Sequence, residues 1–393
     1  CPSFQATRDE RNATRARANV LREFLSRSDK KNPFDHDEIY DILDLCLSCK
    51  ACKSECPSNV DVAKLKAEFL QHYYDANGIP LRSRMIANIT ALNQLASIFP
   101  SLYNAIMSSA PAAFFMKKMG FSNKRTLPSL YKTTLDKWFR KNGNSNEILD
   151  KKVYLFNDEF TRYNDTEIGI KTILLLNALG YQVIIPKHEE SGRTFLSKGL
   201  LRKAKKIADQ NVKLLSPVIS EEIPLVGVEP STILTFRDEY PELVDKSLME
   251  DAKKLAKSTF TIEEFITKEF NEGRISKNQF TKEPKEIKFH GHCQQKALSG
   301  TSATNFMLNI PENYTAEEIP SGCCGMAGSF GYEEEHFDLS MKVGELVLFP
   351  EIREAKPSVL ISAPGTSCRH QIKDGTDKNA QHPVEILYEA LMS

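Results

Sequence analysis

The sequence predicts an α + α/β chain: a helical part built around cysteines, followed by two parallel α/β repeats. Three observations carry this reading. Residues 46–57 run Cys-Leu-Ser-Cys-Lys-Ala-Cys-Lys-Ser-Glu-Cys-Pro, the pattern C-x2-C-x2-C-x3-C-P. From Lys152 onward short apolar runs alternate with helical periodicity, as parallel α/β units do. The loops of that second part also recur at a nearly constant offset, which predicts an internal duplication.

Taken in order, helices are expected at Asn12–Ser26, Asp37–Leu45 and Val60–Ala76, with the cysteine run between the last two. Arg8, Arg11, Arg15, Arg17 and Arg22 alternate with acids and with Val20, Leu21 and Leu25, which reads as a solvated helix face. The helical cysteine domain is placed at 1–78 and a helical linker region at 79–150, ending on the polar Lys141-Asn-Gly-Asn-Ser-Asn146. Within that region Met85–Met116 carries no charged side chain. It is long enough to span a bilayer, but Pro100, Pro111, Asn88, Asn93, Gln94 and Asn104 interrupt it. Short amphipathic helices packed on the protein are expected, with peripheral contact to a membrane or a partner subunit as the lesser reading.

The first α/β repeat is placed at 151–284 and the second at 285–393. Strands are expected at Val153–Phe156, Gln182–Ile185 and Pro224–Val228, with helices at Ile168–Leu179 and Lys198–Leu215 between them. The pattern recurs with strands at Ile287–Phe289, Glu317–Ile319 and Val359–Ser362. Phe160 falls opposite Cys293 and Ser191-Gly192 opposite Cys324-Gly325, both at an offset of 133, while Thr232 falls opposite Cys368 at 136. The second copy carries four cysteines; the first carries Phe160, Glu190, Ser191 and Thr232 where they would be.

Composition excludes several classes. In 393 residues, 52 basic side chains balance 52 acidic ones, so no net field draws the chain to nucleic acid or anionic lipid. Nine cysteines clustered as C-x-x-C and Cys-Cys in so large a chain point to metal in a reducing, cytoplasmic compartment rather than to a disulfide scaffold.

In a C-x2-C-x2-C-x3-C-P run three thiolates share one iron–sulfur cube and the fourth serves a second cube. The chain opens on Cys1-Pro2, which reads as the closing Cys-Pro of an earlier run. Cys46, Cys49 and Cys52 are therefore expected to hold a [4Fe–4S] cluster with Cys1, and Cys56 to serve a second cluster whose other ligands lie upstream. On this reading the chain is the back part of a larger iron–sulfur protein that carries single electrons. The second group is Cys293, Cys323, Cys324 and Cys368, in His290-Gly-His292-Cys293, Gly322-Cys-Cys324-Gly325 and Ser367-Cys368-Arg369-His370. Each follows an expected strand and precedes a helix, so the loops should converge at the carboxyl edge of one sheet. Four thiolates there suit an iron–sulfur cluster or zinc, with His290, His292 and His370 as secondary ligands. The glycines of Gly325-Met-Ala-Gly328-Ser-Phe-Gly331 depart from the dinucleotide spacing and are expected to let backbone pass close to the metal. His188, Arg193 and Lys198 lie at the matching crevice of the cysteine-free copy, where they are candidates for docking an acceptor.

These motifs resemble those of the cysteine-rich (CCG) domain proteins: Cys1-Pro-Ser3 with Thr7-Arg-Asp9, the His290–Cys293 and Cys323–Gly328 segments, and Gly365-Thr-Ser-Cys-Arg-His370. The likeness extends to iron–sulfur subunits of glycolate oxidase and anaerobic glycerol-3-phosphate dehydrogenase, to heterodisulfide reductase subunits, and to the C-terminal part of FAD-linked D-lactate and D-2-hydroxyglutarate dehydrogenases. It implies a helical ferredoxin-like domain followed by two Rossmann-like CCG repeats. It also implies an upstream FAD domain or separate FAD subunit that oxidises a 2-hydroxy acid and passes electrons through these clusters to a quinone or other carrier, with the chain peripheral to the inner face of the cell membrane. No catalytic residue is assigned. Two departures stand out: Gly365 replaces the first cysteine of the usual closing C-x-x-C, and the first repeat has no cysteines. Two further readings come from other classes, a zinc-stabilised partner-docking module and a heterodisulfide-reductase-like thiol redox protein.

Overall fold

The computed structural model describes residues 1–143 and 149–392, so the distal half of the expected Lys141–Asn146 linker lies outside the described residues. Strands β1 (Lys151–Phe156), β2 (Tyr181–Ile184), β3 (Leu225–Gly227) and β4 (Thr259–Thr261) form a sheet in the order β2-β1-β3-β4. Strands β5 (Lys285–Phe289), β6 (Tyr314–Glu318) and β7 (Leu360–Ser362) form a second in the order β6-β5-β7. Every pairing between these strands is parallel. Helices connect successive strands, as parallel pairing requires.

The two sheets repeat one topology, each with its first strand in the middle. β2 and β6 begin at 181 and 314, and β1 and β5 end at 156 and 289, both 133 residues apart. β3 and β7 end at 227 and 362, 135 apart. The offset seen in the loops is thus also an offset of the backbone. Val153, Leu155, Ile173 and Phe265 of the first half pack in one apolar core with Ile287, Phe289, Met307 and Ile386 of the second.

Two expectations shift, and one strand was not expected. β6 begins at Tyr314 rather than Glu317, because it is an edge strand that buries Tyr314 and turns Thr315 and Glu317 outward. β4 is a three-residue Thr-Phe-Thr strand, too short to show a period. The helix expected at Lys198–Leu215 begins instead at Leu201, behind a separate short helix Arg193–Ser197. Gly199 causes the break: it has φ +69°, and a Cβ there would lie 2.2 Å from the Leu70 Cβ. Glycine lets the first α/β half close against the helical part at that point.

The helical part comprises Pro2–Thr7, Thr14–Arg27, Asp37–Asp44, Ala51–Glu55 and Val62–Asn77. Asp61 caps the last of these, accepting from the Ala63 and Lys64 amides at 2.9 and 3.2 Å, and Gly78 ends it at φ +78°. Leu21, Ile39, Leu43, Phe69 and Leu70 bury their side chains with Phe195, Leu196 and Leu200 of the first α/β half. The charge-free segment forms the short helices Leu81–Ala87, Ile89–Ala96, Pro100–Met107 and Ala110–Lys118. Pro100 and Pro111 stand in first turns, where no amide is missed. These helices leave Leu95, Phe99 and Phe114 between 64% and 69% exposed. Among the described residues no helix is long and apolar enough to cross a membrane.

Candidate metal centre

The first cysteine loop follows the helix Asp37–Asp44 and cannot continue it, because Ser48 and Lys50 are left-handed at φ +50° and +60°. The chain then makes one short helix, Ala51–Glu55, and reaches Cys56. This path folds the loop back on itself. The Cys49 thiol is pushed up to about 12 by burial, by the Cys293 thiol, and by Cys46 and Cys52 beside it. Crowded thiols in an apolar setting oppose one another's ionisation, and a metal cation reverses that opposition. The Cys56 thiol instead faces the amides of Val60, Ser58 and Asn59, which hold it below its ordinary range.

Cys1 reaches the loop through Arg17. The Arg17 guanidinium donates to Cys1 Sγ at 3.0 Å, to Ser3 Oγ at 2.9 Å and to the Ile42 carbonyl at 3.2 Å. Ile42 lies in the helix that leads into Cys46, so Cys1 sits beside the loop's entrance. The solvated reading of the five arginines therefore fails for Arg17, which is 1% exposed. It holds for Arg11 and Arg15, which pair with Asp9 and Glu10 in solvent.

The second group lies at the carboxyl ends of β5, β6 and β7. Cys293 opens the helix Cys293–Leu298, Cys323 and Cys324 lie in the loop after β6, and Cys368 is in the first turn of Thr366–Thr376. The four thiols are successive neighbours, Cys293 beside Cys323, Cys323 beside Cys324 and Cys324 beside Cys368. The Cys293 thiol is held down to about 7, chiefly by the Cys323 thiol beside it. A ring nitrogen of His290 and the sulfurs of Cys324 and Cys368 lie within 4.8 Å of one another. His290 Nδ1 is held by Ser321 Oγ at 2.7 Å, while Nε2 is buried without a hydrogen-bond partner. One nitrogen held by a polar neighbour and the other left open is how metal-ligating histidines are oriented. The residues present thus fit a soft, thiolate-binding metal or cluster.

His292 borders this group, and its Nδ1 is buried without a hydrogen-bond partner. His292 Nε2 lies 4.0 Å from the Glu229 carboxylate, and His370 Nδ1 pairs with the Tyr332 hydroxyl at 2.8 Å. Gly365, where a cysteine would complete C-x-x-C, has no room for one: a Cβ there would lie 2.5 Å from the His292 ring and 3.2 Å from Cys368 Sγ. Packing requires Gly325 and Gly331 of the 325–331 loop, whereas a Cβ at Gly328, which is left-handed at φ +64°, would meet nothing within 4 Å. Gly325, at φ +98°, would put a Cβ 2.3 Å from the Ser340 carbonyl, and Gly331 would put one 2.6 Å from Ser340 Oγ.

The cysteine-free half fills its matching positions with internal pairs. Ser191 Oγ donates to Glu159 at 2.6 Å, and Glu190 accepts from Thr90 at 2.5 Å. Phe160 is half-buried, and Thr232 is buried and bonded to the Glu229 carbonyl. His188 lies against the Phe156 ring, Arg193 pairs with Glu239 at 2.7 Å and Lys198 with Glu333 at 2.5 Å. Arg193 and Lys198 are thus paired internally, while His188 Nε2 is buried without a hydrogen-bond partner.

Sequence reasoning missed that the two cysteine groups adjoin. Cys49 and Cys293 pack around one apolar cluster of Leu47, Cys323, Phe330, Leu339 and Val343. Gln294 Nε2 also donates to the Ser48 carbonyl at 3.4 Å, which joins the two loops. The groups lie some 240 residues apart in the chain, and no local pattern signals such a contact.

Comparison with known proteins bears on the first group. Residues 1–60 match the 4Fe-4S dicluster domain family, so this segment is an iron–sulfur domain. Over its whole length the chain is 26% identical to D-2-hydroxyglutarate dehydrogenase of Pantoea ananatis (strain AJ13355), of which it covers 42%. It is also 26% identical to a subunit of the anaerobic glycerol-3-phosphate dehydrogenase of Escherichia coli (strain K12), over 85% of this chain and 83% of that protein. Lactate utilization protein A of Macrococcus caseolyticus (strain JCSC5402) matches 60% of the chain at 26% identity, over 96% of its own length. The chain thus spans less than half the length of the first of these relatives.

Proposed function

We propose that the chain is the electron-transfer part of an FAD-linked 2-hydroxy-acid dehydrogenase. The observation that carries this is the adjacency of the two cysteine groups, with Cys49 and Cys293 in one buried apolar cluster. Cys1, Cys46, Cys49 and Cys52 would hold one [4Fe–4S] cluster and Cys56 would serve a second. Cys293, Cys323, Cys324 and Cys368, with His290, would hold another metal centre. When bound, such clusters supply one-electron redox chemistry. The protein's contribution is to hold the two ligand sets together and keep water out. Leu47, Phe330, Leu339 and Val343 line the boundary between them. Lys66, which donates to the Cys46 carbonyl at 2.9 Å, brings a positive charge beside the first set.

In this reading residues 1–78 form the ferredoxin-like domain, 79–150 a helical linker, 151–284 a degenerate CCG repeat and 285–393 the metal-binding one. Two relatives suggest how a flavin unit is supplied. The much longer D-2-hydroxyglutarate dehydrogenase suggests fusion, and the glycerol-3-phosphate dehydrogenase subunit suggests a separate chain. The exposed Leu95, Phe99 and Phe114 are the surface on which such a unit, or the inner face of the membrane, would rest. None of the nine cysteines is in a disulfide, which leaves all of them able to bind metal.

The test is anaerobic reconstitution followed by metal analysis and electron-paramagnetic resonance. Iron and sulfide with a cubane signal on reduction are expected. Zinc at both groups and no iron would overturn the proposal in favour of a zinc-stabilised docking module.

A further inference from the structure

We infer that Arg17 sets the reduction potential of the N-terminal iron–sulfur centre, by acting as counter-charge and hydrogen-bond donor to the thiolate of Cys1. This rests on the ligand assignment proposed above. Arg17 is 1% exposed, and its three hydrogen bonds go to Cys1 Sγ, Ser3 Oγ and the Ile42 carbonyl. A guanidinium stays charged in a protein interior, and a buried charge without a counter-ion is costly. Among the described residues no carboxylate lies within ion-pair distance of it.

Lys50 makes the contrast. It is equally buried, at 1% exposure, but has Asp61 at 3.1 Å, Asp238 at 2.5 Å and Glu239 at 2.9 Å. The protein thus neutralises one buried cation of this region with three carboxylates and leaves the other facing sulfur. Of the three partners of Arg17, only Cys1 can become an anion, and as a cluster ligand it would be one. The contact is aimed. Ser3, fully buried, accepts from Arg17 and lies 3.2 Å from Cys1 Sγ, which fixes the guanidinium against that sulfur.

Hydrogen bonds to ligand sulfur and net local charge are among the terms that set cluster potentials. Cys1 is exposed and Arg17 is buried against it; reduction adds one negative charge, and that fixed cation favours the reduced state more than the oxidised one. Arg17 is therefore a positioning residue that raises the potential of this centre above that of an otherwise equal one.

The test is a redox titration of the anaerobically reconstituted chain, followed by electron-paramagnetic resonance, for wild type, Arg17→Met, Arg17→Lys and Ser3→Ala. The signal is assigned to this centre by its loss in Cys46→Ala. Arg17→Met should make the cluster at least tenfold harder to reduce, a fall of about 59 mV or more for one electron. Arg17→Lys, which keeps the charge but not the fork, should fall between it and wild type. Ser3→Ala should shift the same way by less. A variant series that keeps its cubane with midpoints within twofold of wild type overturns the inference while leaving the cluster in place. If Arg17→Met loses iron, Arg17→Lys and Ser3→Ala decide alone, and wild-type midpoints in both overturn it. A wild-type chain without a cubane overturns the ligand assignment itself.

Discussion

Lys50 shows how much one side chain can hold. Its ammonium sits in the cysteine loop, buried among Asp61, Asp238 and Glu239, so it fastens the first ligand set to the first α/β half. Removing it by Lys50→Met would leave buried Asp61 without its cation, although Asp238 keeps Lys53 and Lys64 and Glu239 keeps Arg193. A loss of about 3–5 kcal/mol in chemical unfolding is expected, and a loss under about 1 kcal/mol would show that the pairing is not what holds the loop. Gly325 is constrained by space. A methyl group there meets the Ser340 carbonyl at 2.3 Å and the backbone is left-handed, so Gly325→Ala should cost at least about 1–3 kcal/mol. Unchanged urea midpoints would contradict this. The cysteines themselves were legible because their spacing is local. Lys50 and Arg17 were not, because each looks like an ordinary polar residue until a distant segment buries it.

At the scale of elements, the helix Asp37–Asp44 is latched to the segment before Phe337–Glu345. His336 Nε2 lies 2.6 Å from Asp44 and Nδ1 lies 3.1 Å from Glu333, with the ring stacked on Phe330 at 4.0 Å. Arg82 and Lys198 face Glu333 from two further elements, and Lys66 faces Asp44. Burial opposes the imidazolium, but the hydrogen bond to Asp44 and the Glu333 carboxylate beside Nδ1 prevail and raise His336 above its ordinary range. A raised folded value gives stability that is complete below the unfolded pKa of about 6.5 and is lost as pH rises through the folded one. Stability measured by urea unfolding should therefore fall over that interval by more in wild type than in His336→Gln. Parallel curves would sink the latch. Strands with buried runs, such as β1 and β5, were readable from sequence, whereas the edge strand β6 and the three-residue β4 were masked by outward-facing polar side chains.

For the whole molecule, the shared core matters most, since side chains from both sheets fill it. Phe289 is fully buried there, and Phe289→Ala should cost about 3–5 kcal/mol. Because the core is common, that loss should shift one unfolding transition of the α/β part; two transitions moving independently would show that the halves fold separately. The duplication was visible in the sequence because loop positions keep their offset. The contact between the cysteine groups was not, because it joins loops from opposite ends of the chain. On the reading proposed here these groups form two neighbouring redox centres. Electron-paramagnetic resonance of the fully reduced, reconstituted chain, compared with a Cys323→Ala, Cys324→Ala variant, tests this. A cubane signal broadened by magnetic coupling to a second paramagnetic centre is expected, with a sharp, uncoupled cubane in the variant. Identical, uncoupled signals in both proteins would contradict it.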